Sequence, residues 1–401
     1  MRKGLGLTLA VALTLGSVGS ALADQTVKIG VLTDLSGLYS ELAGAGSVLA
    51  ARMAIEDFGA EAKGLKVELV SADHQNKPDI GVAIAQKWYD QDGVDLIVDI
   101  PNSGVALAVN QVARDKNKVL MVSGAGSSDL TGKSCSPNTV HWTYDTWALA
   151  NGTANAVVAS GGKSWFFLTA DYKFGRDLEH DTSAVVTATG GRVLGDVTFP
   201  LNTPDFSSFL VQAQTSDANV VGLAMAGGDV SNAVKQAAEF GIVEGGQRLV
   251  GMLVFITDIH ALGLHAAQGL QFTAAFYWDK DDQTRAFATR FAEANHGIHP
   301  TMVHAGVYAS VLHYLKAVVA LQDKSDGSKV VAKMKALPTD DPLFGQGSIR
   351  IDGRALHSLY LYQVKKPEES KGPWDYYKLV ETIPADRAFR PLDQGGCSLV
   401  K

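Results

Sequence analysis

From Val27 onward the chain alternates between short β-branched runs and stretches in which apolar residues return every three or four positions. Val27 to Thr33 is a mostly apolar run of strand length, and after a loop from Asp34 to Ala43 the residues Val48, Ala51, Ile55 and Phe58 fall on one helical face. The pattern then predicts strands over 66–70, 95–100 and 119–123, with helices over 79–91 and 105–116. Such a βαβ series requires a parallel sheet covered on both faces. A second series follows Tyr144, with strands over 164–169, 192–199, 220–225 and 249–255 and helices over 174–189, 206–215 and 229–240. Each half is therefore a doubly wound α/β unit.

The remaining segments are a strand over 270–278, helices over 284–295 and 303–321, and a strand pair over 348–364 around Asp352-Gly353. They are too few for a third core and complete the two sheets already begun. The chain then passes between lobes near 143–147, 268–276 and 350–358. No Pro-rich or Ser-rich linker stands there, so short hinge segments are expected. The organisation that follows is 24–144 with 274–352 as the first lobe, 145–273 with 353–390 as the second, and 391–401 as a tail.

The first residues add a destination. Arg2 and Lys3, an apolar stretch from Leu5 to Val18 and the small-residue run Ala21-Leu22-Ala23 follow the order of a secretory leader, giving residues 1–23 as a signal peptide cleaved after Ala23. No Cys follows the apolar stretch to be acylated, and no later segment reads as a membrane span, so no membrane anchor is expected. The formal charge of −7 is spread along the chain, which makes nucleic acid and anionic membranes poor partners. Only Cys135 and Cys397 occur, and in an oxidising compartment they are expected to pair, pinning the C-terminal tail onto the first half of the chain.

In an open parallel sheet, ligands sit beyond the carboxyl ends of the strands. That rule selects Leu38 and Tyr39, Asn102 and Ser103, and Ala125 to Ser128 in the first lobe. In the second it selects Asp171 to Phe174, Gly227 to Asp229 and Phe255 to Asp258. The first-lobe loops, Pro101-Asn102-Ser103-Gly104 and Ser123-Gly124-Ala125-Gly126-Ser127-Ser128, are built from hydroxyl, amide and glycine residues that can cradle a carboxylate without a full positive charge. Aromatic residues, among them Trp142, Tyr144, Tyr172, Phe174 and Trp278, gather at the crossings and second-lobe loops and suit a flat or branched apolar body.

Several apparent signatures fail. Gly44-Ala45-Gly46 has Leu49 where a dinucleotide fingerprint needs a small residue, and Gly132-Lys133-Ser134 and Gly162-Lys163-Ser164 lack the earlier Gly of a phosphate loop. His296, His299 and His304 straddle Pro300 and do not make a metal site. No nucleophile elbow or carboxylate pair stands out, so neither an enzyme nor a cofactor is expected.

The strings Val27-Lys28-Ile29-Gly30-Val31-Leu32-Thr33-Asp34-Leu35-Ser36-Gly37, Ser71-Ala72-Asp73, Asp171-Tyr172-Lys173-Phe174-Gly175 and Ala237-Ala238-Glu239-Phe240-Gly241 resemble the periplasmic branched-chain amino-acid binding proteins of ABC importers. The resemblance implies a type I periplasmic-binding-protein fold, two doubly wound lobes joined by three crossovers, acting as a monomer that delivers a small solute to permease subunits. It implies that Asn102, Ser103, Ala125 and Ser127 hold a ligand carboxylate. Second-lobe contacts would come from Tyr144 or Asp145, Tyr172 or Phe174, Asp229 and Trp278; Tyr39 and Asp258, selected by the strand-end rule and not by the resemblance, complete the candidate set. Amino-acid binders of this family place an acid after the strand matching 249–255, whereas Phe255, Ile256 and Thr257 stand here before Asp258. An unpaired ammonium is costly to bury, so aromatic or other carboxylates, a short amide or urea-like solute, and a ligand-sensing receptor of the same fold are the alternatives.

Overall fold

The computed structural model describes residues 25–401; the expected leader and its cleavage site lie outside them. The first lobe opens with β1 (Gln25–Thr33), α1 (Gly44–Phe58), β2 (Leu65–Asp73), α2 (Pro78–Asp90), β3 (Leu96–Asp99), α3 (Ser103–Asp115), β4 (Val119–Val122) and β5 (Thr139–His141). Its parallel sheet runs β2-β1-β3-β4-β5. Both central strands β3 and β4 are wholly buried, which is why their sequences carry no alternation.

The chain then enters the second lobe with α4 (Thr146–Ala159), β6 (Ser164–Ala170), α5 (Lys173–Ala188), β7 (Arg192–Phe199), α6 (Ser207–Thr215), β8 (Val220–Ala224), α7 (Gly228–Glu239), β9 (Arg248–Gly251), α8 (Ile256–Leu262) and α9 (Leu264–Ala267). The sheet β7-β6-β8-β9 is again parallel. Two helix-scale differences from the pattern reading have physical reasons. Helix α4 is apolar nearly all round, because it packs against both α5 and β10 (Gln271–Ala274), so it lacks the stripe that marks a surface helix. Strand β9 stops at Gly251, and the apolar run Met252 to Phe255, expected as strand, is instead a buried loop whose last residue caps α8.

After β10 the chain returns to the first lobe for α10 (Asp282–Ala294), α11 (Met302–Leu321) and α12 (Gly327–Ala336). Helices α10 and α11 both pack on α1. Helix α11 is long and apolar enough to cross a membrane by length and composition, a feature the sequence reading overlooked, but 89% of its most apolar window is buried inside the protein. Contrary to the pattern's prediction, the late strands do not complete the two parallel sheets but pair with one another as two short antiparallel sheets: β11 (Thr339–Asp341), β12 (Gly345–Ile349) and β13 (Ala355–Leu356), then β10 with β14 (Leu359–Val364) and β15 (Tyr377–Ile383). Each follows its partner closely enough in the chain to pair by a turn, or meets it as the chain returns.

The hinge is dry. Arg354, fully buried, donates to the Tyr144 carbonyl at 3.1 Å and faces Asp145 at 3.4 Å, while His357 bonds the Trp142 carbonyl at 2.9 Å. Past β15 the chain forms α13 (Ala385–Ala388), where the Asn151 amide of α4 donates to the Arg387 carbonyl at 2.8 Å. It then crosses to the first lobe, where Arg390 donates to the Ser128 carbonyl at 2.9 Å and Cys397 is bonded to Cys135. The expected disulfide is thus present.

Candidate functional site

The first-lobe wall of the cleft is built at the carboxyl ends of β3 and β4. Asn102 caps α3, its side-chain oxygen accepting the Val105 N–H at 3.1 Å. The next residue, Ser103, has its hydroxyl oxygen within 3.2 Å of both the Gly126 and Ser127 N–H groups, which locks the β3 loop to the β4 loop. The N–H groups of Ser103 and Ala125 make no hydrogen bond among the described residues, as a helix start and an open loop allow. Gly126 has to be glycine, since a Cβ there would lie 2.7 Å from the Phe174 ring.

Beneath this wall sits Asp99, the last residue of β3. It adopts φ 87°, a left-handed conformation that strains an L side chain, and it is fully buried. Neither of its carboxyl oxygens makes a full hydrogen bond among the described residues, and the nearby Thr33 and Ser47 hydroxyls only temper the effect of burial. Burial raises its carboxyl to about 7.

Facing this wall the cleft is aromatic, with acids at its rim, and both lobes contribute to it. Tyr39, Tyr144, Tyr172, Phe174, Leu253 and Phe255 close around a cavity of about 10 Å³ whose floor is Pro101 and Gly124. The Tyr144 hydroxyl donates to the Gly124 carbonyl, and the hydroxyls of Tyr39 and Tyr172 bond each other from opposite lobes. Burial pushes all three phenols up, so all three stay neutral. At the rim the lobes also meet through charge. Ser127 donates to Asp177 at 2.5 Å, Ser128 donates to Asp181 at 3.1 Å, and Lys173 lies 2.6 Å from Asp129. Burial raises the Asp129 carboxyl, but Lys173 and Lys133 together outweigh it and the net shift is downward.

Beside the aromatic cavity lies a wider groove of about 410 Å³, bounded by Leu38 and Leu42 on one side and by Gly227, Thr257, Asp258 and Trp374 on the other. Gly227, at φ 62°, lets α7 approach the first lobe, for a Cβ would stand 3.0 Å from the Leu38 carbonyl oxygen.

The structure gathers Tyr39, Tyr144, Tyr172 and Phe174 in the cavity and puts Asp258 in the groove, whereas Asn102, Ser103, Ala125 and Ser127 line neither and only their chain neighbours Pro101 and Gly124 reach the cavity. Other candidates are engaged elsewhere. The Ser127 hydroxyl is used across the cleft by Asp177. Asp145 caps α4 through the Ala148 N–H at 2.8 Å and faces Arg354, so both its oxygens serve the hinge. Asp229 accepts the N–H groups of Asn202 and Thr203 at 3.1 and 3.0 Å. Trp278 donates to the Trp374 carbonyl at 2.8 Å and packs on His299, lining a separate cavity of about 10 Å³ behind Phe255 and not the aromatic cavity or the groove. The aromatic residue that reaches the groove is Trp374, which pattern reading missed because a lone Trp in a polar loop carries no period.

Two doubly wound lobes facing each other across a cleft have the architecture of a solute-binding protein. The periplasmic binding protein family matches residues 26–372, and this chain belongs to it. A periplasmic binding protein from Burkholderia mallei is 50% identical, with a TM-score of 0.90, covering 94% of this chain and all of that one. A branched-chain amino acid ABC transporter ligand-binding protein from Burkholderia xenovorans is 41% identical with a TM-score of 0.83 over 94% of this chain and 100% of that one. The Leu/Ile/Val-binding protein homolog 6 of Brucella abortus is 26% identical over 376 residues, 92% of this chain and 94% of its own. The chain is a type I periplasmic-binding-protein fold serving as the substrate-binding protein of an ABC importer, and not an enzyme.

Proposed function

We propose that the chain captures a small carboxylate with an aromatic or branched apolar body, and that the lobes close over it. One observation carries this reading: the Ser103 hydroxyl already accepts two N–H bonds, so its own proton is free to donate beside the free N–H groups of Ser103 and Ala125. A donor set without a cation suits a carboxylate. The ring of Tyr144, Tyr172, Phe174 and Phe255 supports an apolar body. No acid lines that cavity, which favours a non-amino carboxylate over an α-amino acid. A solute-binding protein from R. palustris solved with benzoate shares the fold at 21% identity, a likeness that bears on the fold alone.

A cavity of about 10 Å³ holds roughly one water, so the lobes have to part to admit such a solute. They would do so by breaking the Tyr39–Tyr172 and Ser127–Asp177 contacts and turning about the hinge. Calorimetry with matched acids and primary amides, such as phenylacetate against phenylacetamide, tests the assignment. Tighter binding of the acid is expected, whereas equal affinity would replace it with a short amide. Small-angle scattering should give a smaller radius of gyration with solute than without. We also infer a monomer, processed after Ala23 and working with permease subunits; intact mass of the exported protein checks the cleavage.

A further inference from the structure

Beyond β15 the chain runs back past the hinge in a segment with little core of its own. From Pro384 to Lys401 only Ala388, Phe389 and Cys397 are buried. A terminal segment that buries so little frays unless it is tied down. Here it is tied on both lobes. On the second, α13 packs against α4, where the Arg387 carbonyl accepts the Asn151 amide. On the first, Cys397 is bonded to Cys135. The tail is therefore a connection between the lobes besides the three crossings, and a covalent bond completes it.

Arg390 stands midway along this path and joins the hinge to the cleft rim. Its carbonyl accepts the Arg350 guanidinium at 2.7 Å. Arg350 is paired with Asp352 at 2.5 Å, and Asp352 also accepts the N–H of the hinge residue Arg354 at 3.1 Å. The Arg390 guanidinium in turn donates to the Ser128 carbonyl. The tail lies so close there that a Cβ on Gly132 would stand 2.7 Å from both the Arg390 guanidinium and the Gly395 carbonyl oxygen. The segment it touches, Ser128 to Cys135, needs such a support. Ser103 ties the wall only as far as Ser127, and beyond it the chain has a single turn of 3-10 helix from Ser128 to Thr131. Yet this segment makes two of the rim contacts, Ser128 with Asp181 and Asp129 with Lys173.

We propose that the tail is a strap that sets the closed position of the lobes, with Arg390 as a positioning residue that seats the segment from Ser128 to Cys135 so that Ser128 and Asp129 meet their partners on the second lobe. A guanidinium bonded to a carbonyl is one of the stronger neutral-acceptor contacts and holds a one-turn segment well. The disulfide keeps that guanidinium in place, because the tail buries too little to stay there alone. Closure then depends on an oxidised cysteine pair that touches no solute. The inference rests on reading the lobes as able to part, and it is independent of which solute lies between them.

Variants of the whole chain, measured without solute, test it: Arg390→Met, Arg390→Lys, and Cys135→Ser combined with Cys397→Ser. In Arg390→Met and in the serine pair, hydrogen exchange over residues 128–135 should be roughly tenfold faster or more, while β6 to β9 keep their protection. Small-angle scattering should give both a larger radius of gyration than the parent. Arg390→Lys, which keeps a cationic donor, should stay near the parent in both readouts. Should the serine pair not fold, Arg390→Met alone decides. A tail that merely stabilises would lower the unfolding midpoint and leave exchange over 128–135 and the radius unmoved, which overturns the proposal. Asp177→Ala breaks the rim directly and separates the two readings. If it opens the protein and Arg390→Met does not, the strap falls and mobile lobes stand; if neither opens, both fall together.

Discussion

The two walls of the cleft are held in place by different means. On the first lobe, Asn102 caps its own helix and Ser103 ties the β3 loop to the β4 loop, so the wall is finished before the second lobe arrives. On the second, Tyr172, Asp177 and Lys173 find their partners Tyr39, Ser127 and Asp129 across the gap. The first wall is preorganised and recognises; the second is completed only by closure and reports that recognition as a change of shape. Substitutions on the two walls should therefore separate stability from closure.

The largest effect is expected for Ser103→Ala. It strips the acceptor from two buried N–H groups, and at ~1–3 kcal/mol for each unsatisfied donor a loss of roughly 2–6 kcal/mol should appear in urea unfolding. Solute affinity should fall with it, and an unchanged unfolding midpoint would show that the first wall does not organise itself in this way. Next is Asp99→Asn. A carboxyl raised to about 7 in the fold contributes stability that is complete below its unfolded pKa near 4 and is lost as pH rises through 7. The neutral amide lacks that loss, so the variant should match the parent at pH 4 and exceed it at pH 8 by up to about 4 kcal/mol, the worth of about three pKa units. A variant no more stable than the parent at pH 8 would place a counter-charge beside Asp99. The smallest effect belongs to Tyr172→Phe, which removes one interlobe hydrogen bond worth ~1 kcal/mol. Scattering should show it more open at subsaturating solute with its unfolding midpoint barely moved. A shift in midpoint alone would make the second wall as self-sufficient as the first.

Much of this was written in local pattern. The strands under both walls are continuous apolar runs, and the loops after β3 and β4 announce themselves by Ser, Asn and Gly at strand ends. What stayed hidden depends on contacts distant in sequence. Helix α4 carries no amphipathic stripe because it is enclosed by elements on several sides, one of them more than a hundred residues later. Asp145 reads as a free acid until Arg354 is folded against it. The engagement of Ser127 with Asp177 exists only when two lobes meet. Trp374 enters the groove through a left-handed backbone that no residue-type rule foresees for Trp. Pattern finds where a ligand wall is, and long-range partners decide which of its groups are still free.

The bond between Cys135 and Cys397 changes what a cut in the chain means. Its ends are 262 residues apart in sequence and both are anchored on the first lobe, while α4 to α9, β14 and β15 all lie between them. A single protease nick anywhere between those cysteines therefore severs the backbone without releasing a fragment. The two pieces stay on one covalent skeleton, running as one band on a gel until a reductant splits them into two. Damage to a surface loop of the second lobe is in this sense repairable by refolding alone, because neither piece can diffuse away from the other.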